Sequence, residues 1–132
     1  MEELTRRLRL ARRALLTLRE VLAEPKNPIT RDAAIQRFEY SFETSWKAVQ
    51  LHLREAEGLD PGSPAGVVRG AHAVGILDEA AARLGLEMVR DRNLTVHTYH
   101  EPLAEEIYGR LRGYLSMMEA WLSVVERRAG PG

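Results

Sequence analysis

Apolar residues recur along this chain at steps of three and four, in run after run, and no stretch alternates apolar and polar residues in the manner of a strand. Steps of three and four follow the 3.6-residue turn of an α-helix and gather the apolar side chains on one face. In the first run Leu4, Leu8, Ala11, Leu15, Leu18 and Leu22 form a narrow seam. A second stripe holds Ile35, Phe38, Phe42, Trp46, Val49 and Leu53, and a last one Leu103, Ile107, Leu111, Tyr114, Met118, Trp121 or Leu122, and Val125. The expected fold is all-α, an up-and-down bundle of four long helices and one short helix.

The punctuation between the runs agrees with their periods. Pro25-Lys26-Asn27-Pro28 ends the first helix, and Asn27 or Thr30 can cap the second, with Pro28 tolerated in its first turn, so that it runs to about Glu57. Ser63 and Pro64 start the short helix, whose Val67, Val68, Ala71 and Val74 face inward until Gly75 stops it. Asp78 caps a fourth helix expected to continue to about Tyr99, with Gly85 marking a break inside it. The chain turns at His100-Glu101-Pro102, and Gly130-Pro131-Gly132 closes the last helix.

At 132 residues the chain is read as one domain, residues 1–132, large enough to bury a core without staples. Cysteine is absent, which removes disulfides and thiolate metal sites. No stretch approaches the ~20 apolar residues of a membrane span. The arginine-studded start lacks the apolar core of a signal peptide, so a cytoplasmic location and no membrane partner are expected. Nineteen basic residues balance nineteen acidic ones, so attraction to nucleic acid has to come from a local patch. Arg6, Arg7, Arg9, Arg12, Arg13 and Arg19 on the first helix are either such a patch or a solvated face.

Chemistry concentrates in Arg92-Asn93-Leu94-Thr95-Val96-His97-Thr98-Tyr99. At roughly 100° per residue, Tyr99 returns to within about 20° of Arg92, while Asn93 and His97 lie together about 100–140° round. On a continuous helix all four serve one cleft. Leu86, Met88, Val89 and Val96 share that arc, which places Arg92 on a face a helix normally buries. A guanidinium there needs a partner. Glu39 and Glu43, one turn apart on the second helix, are the candidate carboxylates; the same pair could ligate a metal, but pairing with an arginine is the better use for them and no metal is expected. Structurally, Arg92 can also be an arginine bonded to a neighbouring helix, His97 a satisfied core or interface histidine, and Tyr99 a packing residue.

The Arg-x4-His-x-Tyr spelling resembles the signature of the HEPN superfamily, in the HepT-like branch encoded beside minimal nucleotidyltransferases and called nucleotidyltransferase substrate-binding proteins. Arg37-Phe38-Glu39-Tyr40-Ser41-Phe42-Glu43 with Trp46-Lys47, and Glu105-Glu106-Ile107-Tyr108, resemble the family's other segments in order and spacing, so the likeness runs from about Ala33 to about Leu115. It implies a metal-independent endoribonuclease toxin that needs no cofactor and acts on single-stranded RNA or tRNA across a homodimer cleft. His97 would move protons, Arg92 would hold phosphoryl oxygens, and Asn93 would orient either group. Tyr99 resembles the residue to which the cognate minimal nucleotidyltransferase attaches AMP, which would silence the toxin. Two other readings stand beside this one: a non-catalytic subunit that presents a substrate to the nucleotidyltransferase, and a plain helical dimerisation module. The chain has no Gly-Ser with paired aspartates of its own, so it is not itself expected to transfer nucleotides.

Overall fold

A computed structural model describes residues 2–130; Met1, Pro131 and Gly132 lie outside the described residues, and with them the last two residues of the expected Gly130-Pro131-Gly132 close. The helices are α1 (Glu2–Leu22), α2 (Pro28–Glu57), α3 (Pro64–Ala73), α4 (Glu79–Leu94) and α5 (Glu101–Ala129), with a single 3-10 turn at Thr95–His97. No strand occurs among the described residues. The all-α bundle read from the apolar spacing is the architecture found.

Caps set the boundaries. The Asn27 side chain accepts from the backbone N–H groups of Ile29 and Thr30, and the Thr30 hydroxyl accepts from the N–H of Asn27, so two otherwise unpaired donors are satisfied reciprocally. Ser63 and Asp78 cap α3 and α4 through Gly66 and Ala81. Each such cap contributes about 1 kcal/mol. Gly58, at φ 69°, ends α2 in the left-handed region that only glycine enters without steric cost.

α1 and α2 form an antiparallel hairpin, α5 runs along both, α3 packs on α2 and α4, and α4 packs on α5 and touches α2. Every seam residue of α1 is buried, as are Ile35, Phe38, Phe42, Val49 and Leu53 of α2. Trp46 is only partly buried, at the margin of the stripe it was expected to share. In the centre Phe38 stacks on Tyr114 at 5.5 Å and tilts against Phe42 at 6.2 Å. Burying side chains of this size contributes about 1.5–3 kcal/mol each, which makes α2 and α5 the backbone of the core.

Two expectations about α4 need correction. Gly85 does not break the helix; it sits where α4 presses closest on its neighbours, and a Cβ there would lie 3.0 Å from Val68 and 3.1 Å from Met117. The helix also stops at Leu94, five residues before Tyr99. The Thr95 hydroxyl donates to the Arg92 carbonyl at 2.7 Å and the Thr98 hydroxyl to the Thr95 carbonyl at 2.8 Å, drawing the chain into tighter turns. No helix among the described residues is long and apolar enough to cross a membrane.

Candidate functional site

The last turn of α4 faces two helices at once. Asp91 turns to α5 and Arg92 to α2, as residues about 100° apart must. The Arg92 guanidinium lies 3.8 Å from Glu43, so of the two candidate carboxylates Glu43 is the one that meets it. That distance is an ion pair without a hydrogen bond. Glu43 is shared with Lys47, one turn along α2, at 3.6 Å. Glu39 is half-buried and enters no ion pair among the described residues. Arg92 Nε is buried and has no hydrogen-bond partner among the described residues.

Beyond Leu94 the helical projection no longer holds. Asn93 and His97 are exposed, Val96 is 65% exposed rather than buried on the α4 arc, and Tyr99 is 83% exposed. Among the described residues Tyr99 is therefore not packed as it would be on a continuous helix. The rings of His97 and Tyr99 approach edge to face with centroids 6.1 Å apart. The structure thus brings Arg92 to Glu43 and His97 to Tyr99, and no hydrogen bond joins one pair to the other among the described residues. What ties them is the backbone: Thr95, itself buried, binds the carbonyl of Arg92, and the N–H of His100 binds the carbonyl of His97 at 3.0 Å.

Both ends of this connection are anchored by charge. At its start the buried Asp91 carboxylate accepts from Arg110 Nε at 2.6 Å, from the second Arg110 nitrogen at 3.1 Å and from the Tyr114 hydroxyl at 2.5 Å. The bond to Asp91 raises the pKa of Arg110 above its ordinary value, and burial followed by the Asp91 bond raises that of Tyr114, so both stay protonated as donors. At its end the Arg31 guanidinium, buried at the start of α2, donates to Glu105 at 2.9 Å and lies 3.9 Å from Glu101, the first residue of α5. Glu105 also bonds Lys26; these bonds from Lys26 and Arg31 hold its carboxyl below the usual range.

Sequence reasoning missed Asp91, Arg110 and Arg31 as members of the site's framework. Asp91 lies about 100° round α4 from Arg92, off the apolar arc that made Arg92 conspicuous, so the sequence pattern did not single it out. Which helix it would meet depends on tertiary packing.

Among the described residues no group of three or more His, Cys, Asp or Glu side chains is placed to hold a metal ion. A groove of about 810 Å³ lies elsewhere, between the start of α1 and the end of α5, with Arg6, Arg9, Arg12 and Arg13 on its walls. Two of these arginines are already paired, Arg6 with Glu3 and Arg12 with Glu126. Of the signature, Asn93, His97 and Tyr99 are exposed at the surface.

A family model described as nucleotidyltransferase substrate binding protein like matches residues 6–127. Among solved structures, a Thermus thermophilus protein is 55% identical, with the match covering 89% of this chain and 99% of that one at a TM-score of 0.85. A Haemophilus influenzae protein, described as having the fold of a substrate binding domain of a nucleotidyltransferase, is 20% identical over 89% of this chain and 98% of its own, with a TM-score of 0.76. A chain of a toxin-antitoxin crystallised with AMP-PNP is 14% identical over 93% of this chain and 97% of its own, with a TM-score of 0.77. These last two likenesses concern the fold. A search of curated proteins finds no significant match. The family resemblance carried by Arg92, His97, Tyr99 and the flanking segments is borne out, and the chain belongs to the nucleotidyltransferase substrate binding protein-like family.

Proposed function

We propose that this chain is the metal-independent endoribonuclease of a toxin-antitoxin pair, working as a homodimer and silenced when a cognate nucleotidyltransferase attaches AMP to Tyr99. The observation that carries the reading is the 83% exposure of Tyr99 beside the His97 ring, on a connection that begins at Arg92. A phenol kept in solvent next to an imidazole is placed for modification. The similarity in fold to a toxin-antitoxin chain adds support.

In this reading His97 takes the proton of an RNA 2′-hydroxyl, whose oxygen attacks the adjacent phosphorus. The bond from phosphorus to the 5′-oxygen breaks, leaving a 2′,3′-cyclic phosphate, and the departing oxygen gains a proton from water or from His97 of the second copy. Arg92 binds the non-bridging oxygens as a charged fork, with Asn93 orienting it and Glu43 holding it in waiting. A two-fold pair of chains brings a second Arg92 and His97 to the cleft. Modification proceeds by attack of the Tyr99 oxygen on the α-phosphorus of ATP with loss of pyrophosphate. The diester's negative charge then competes for Arg92 and blocks RNA.

The second reading, a subunit that presents a substrate to the nucleotidyltransferase, draws on the lack of any bond between Arg92 and His97 within one chain. Purified chain incubated in EDTA with total RNA, tRNA and matched DNA separates the two. The ribonuclease cuts RNA and spares DNA, which lacks the 2′-hydroxyl, and loses activity in Arg92→Ala and His97→Ala. Inert wild type, or either variant cutting as well as wild type, leaves the presenting subunit.

A further inference from the structure

We propose that Asp91 is a positioning residue for Arg92, acting through the clamp that Arg110 and Tyr114 close on its carboxylate. This rests on the reading of Arg92 as the phosphate-binding group. Asp91 is fully buried and takes three hydrogen bonds of 2.5–3.1 Å, all from α5. Arg92, the next residue, is held only loosely on its own account: among the described residues the carboxylate it pairs with is 3.8 Å away and its Nε has no hydrogen-bond partner. The direction in which Arg92 leaves α4 is therefore set by the rotation of the last turn about its axis, and the Asp91 clamp fixes that rotation. Glu87, one turn earlier, reinforces it, receiving the Tyr114 hydroxyl at 3.1 Å and lying 3.8 Å from Arg110.

A clamp of this kind is more than packing. An apolar residue in place of a buried charge often preserves stability or improves it, so a carboxylate kept there is better explained by the geometry it imposes. Two short bonds with fixed directions define a rotation that interchangeable methyl groups do not.

The test reads Arg92 directly. Its Nε–H signal is assigned in ¹H–¹⁵N spectra by its loss in Arg92→Lys, and Asp91→Asn and Tyr114→Phe are compared with the wild-type chain, using the buried indole N–H of Trp121 as internal control. Tyr114→Phe keeps the ring that stacks on Phe38, so it decides the matter if Asp91→Asn does not fold. Positioning predicts that the Arg92 signal moves or broadens while Trp121 stays in place, and that kcat/KM for RNA falls about tenfold or more, mainly through KM. An unchanged Arg92 signal in the folded variants, or Arg92 and Trp121 signals disturbed together, overturns it. A displaced Arg92 signal in a chain whose wild type does not cut RNA upholds the positioning and overturns the ribonuclease reading instead.

Discussion

The Glu43 carboxylate stands 3.8 Å from the Arg92 guanidinium, near enough to neutralise it and too far for a hydrogen bond. Both side chains keep partial contact with solvent, so the pair adds no more than about 1 kcal/mol to stability. Its consequence lies in binding. Glu43→Gln removes the charge that competes with a phosphate for Arg92, and is expected to leave the melting temperature nearly unchanged while tightening affinity for a single-stranded oligonucleotide. Fluorescence anisotropy at fixed salt checks this; weaker binding would mean that Glu43 orients Arg92 instead of competing with its ligand.

Thr95→Val removes the hydroxyl that binds the Arg92 carbonyl at 2.7 Å and keeps the shape of the buried side chain. The expected cost is about 1 kcal/mol, the net worth of one such bond plus an under-satisfied carbonyl. Hydrogen exchange should quicken locally, over residues 95–98. Protection unchanged there would assign the end of α4 to the turn itself and not to the threonine.

Gly85→Ala sets two effects of opposite sign against each other. Alanine is about 1 kcal/mol better in a helix interior. The new methyl meets Val68 at 3.0 Å and Met117 at 3.1 Å, and overpacking of a filled site costs about 1–3 kcal/mol. Met117 can swing aside, whereas the β-branched Val68 on α3 cannot. Net destabilisation of about 1 kcal/mol is expected from urea unfolding, and a stabilised variant would show that α3 yields.

His52 carries a pH dependence. It is buried on α2, and burial is the main cause that lowers its pKa, with Arg128 adding to the effect and Glu57 and Glu55 opposing it. The unfolded chain takes up a proton near pH ~6.5, while the folded chain resists doing so. Stability from this group is therefore complete above that pH and is lost as pH falls towards the folded value, by at most about 1.4 kcal/mol per pH unit. His52→Gln should flatten the fall in urea midpoint between pH 7 and pH 5. An equal fall in the variant would place the acid sensitivity elsewhere.

The helices were legible because periodicity and caps are local: Asn27, Ser63 and Asp78 act within three residues of themselves. Arg92 was conspicuous for the same reason, a charge on an apolar arc. The shape of the signature was not legible, because projecting it as one helix assumed that no side chain would compete for the backbone. Thr95 and Thr98 do, and their hydroxyls send Val96 and Tyr99 outward. Gly85 was misread for a related reason: glycine marks both breaks and close approaches, and only the positions of Val68 and Met117 tell them apart. Asp91 needed α5 in place before its role could be seen.

The central claim joins Arg92, His97 and Tyr99 in one regulated site, and one measurement addresses all three. RNA cleavage in EDTA is followed for the wild-type chain and Tyr99→Phe, each before and after incubation with the cognate nucleotidyltransferase, ATP and Mg²⁺, with intact mass and peptide mapping in parallel. The account predicts that wild type gains AMP units on Tyr99 and stops cutting, while Tyr99→Phe cuts throughout and gains none. AMP found only on other residues, or Tyr99→Phe silenced along with wild type by a step that requires ATP, would contradict it.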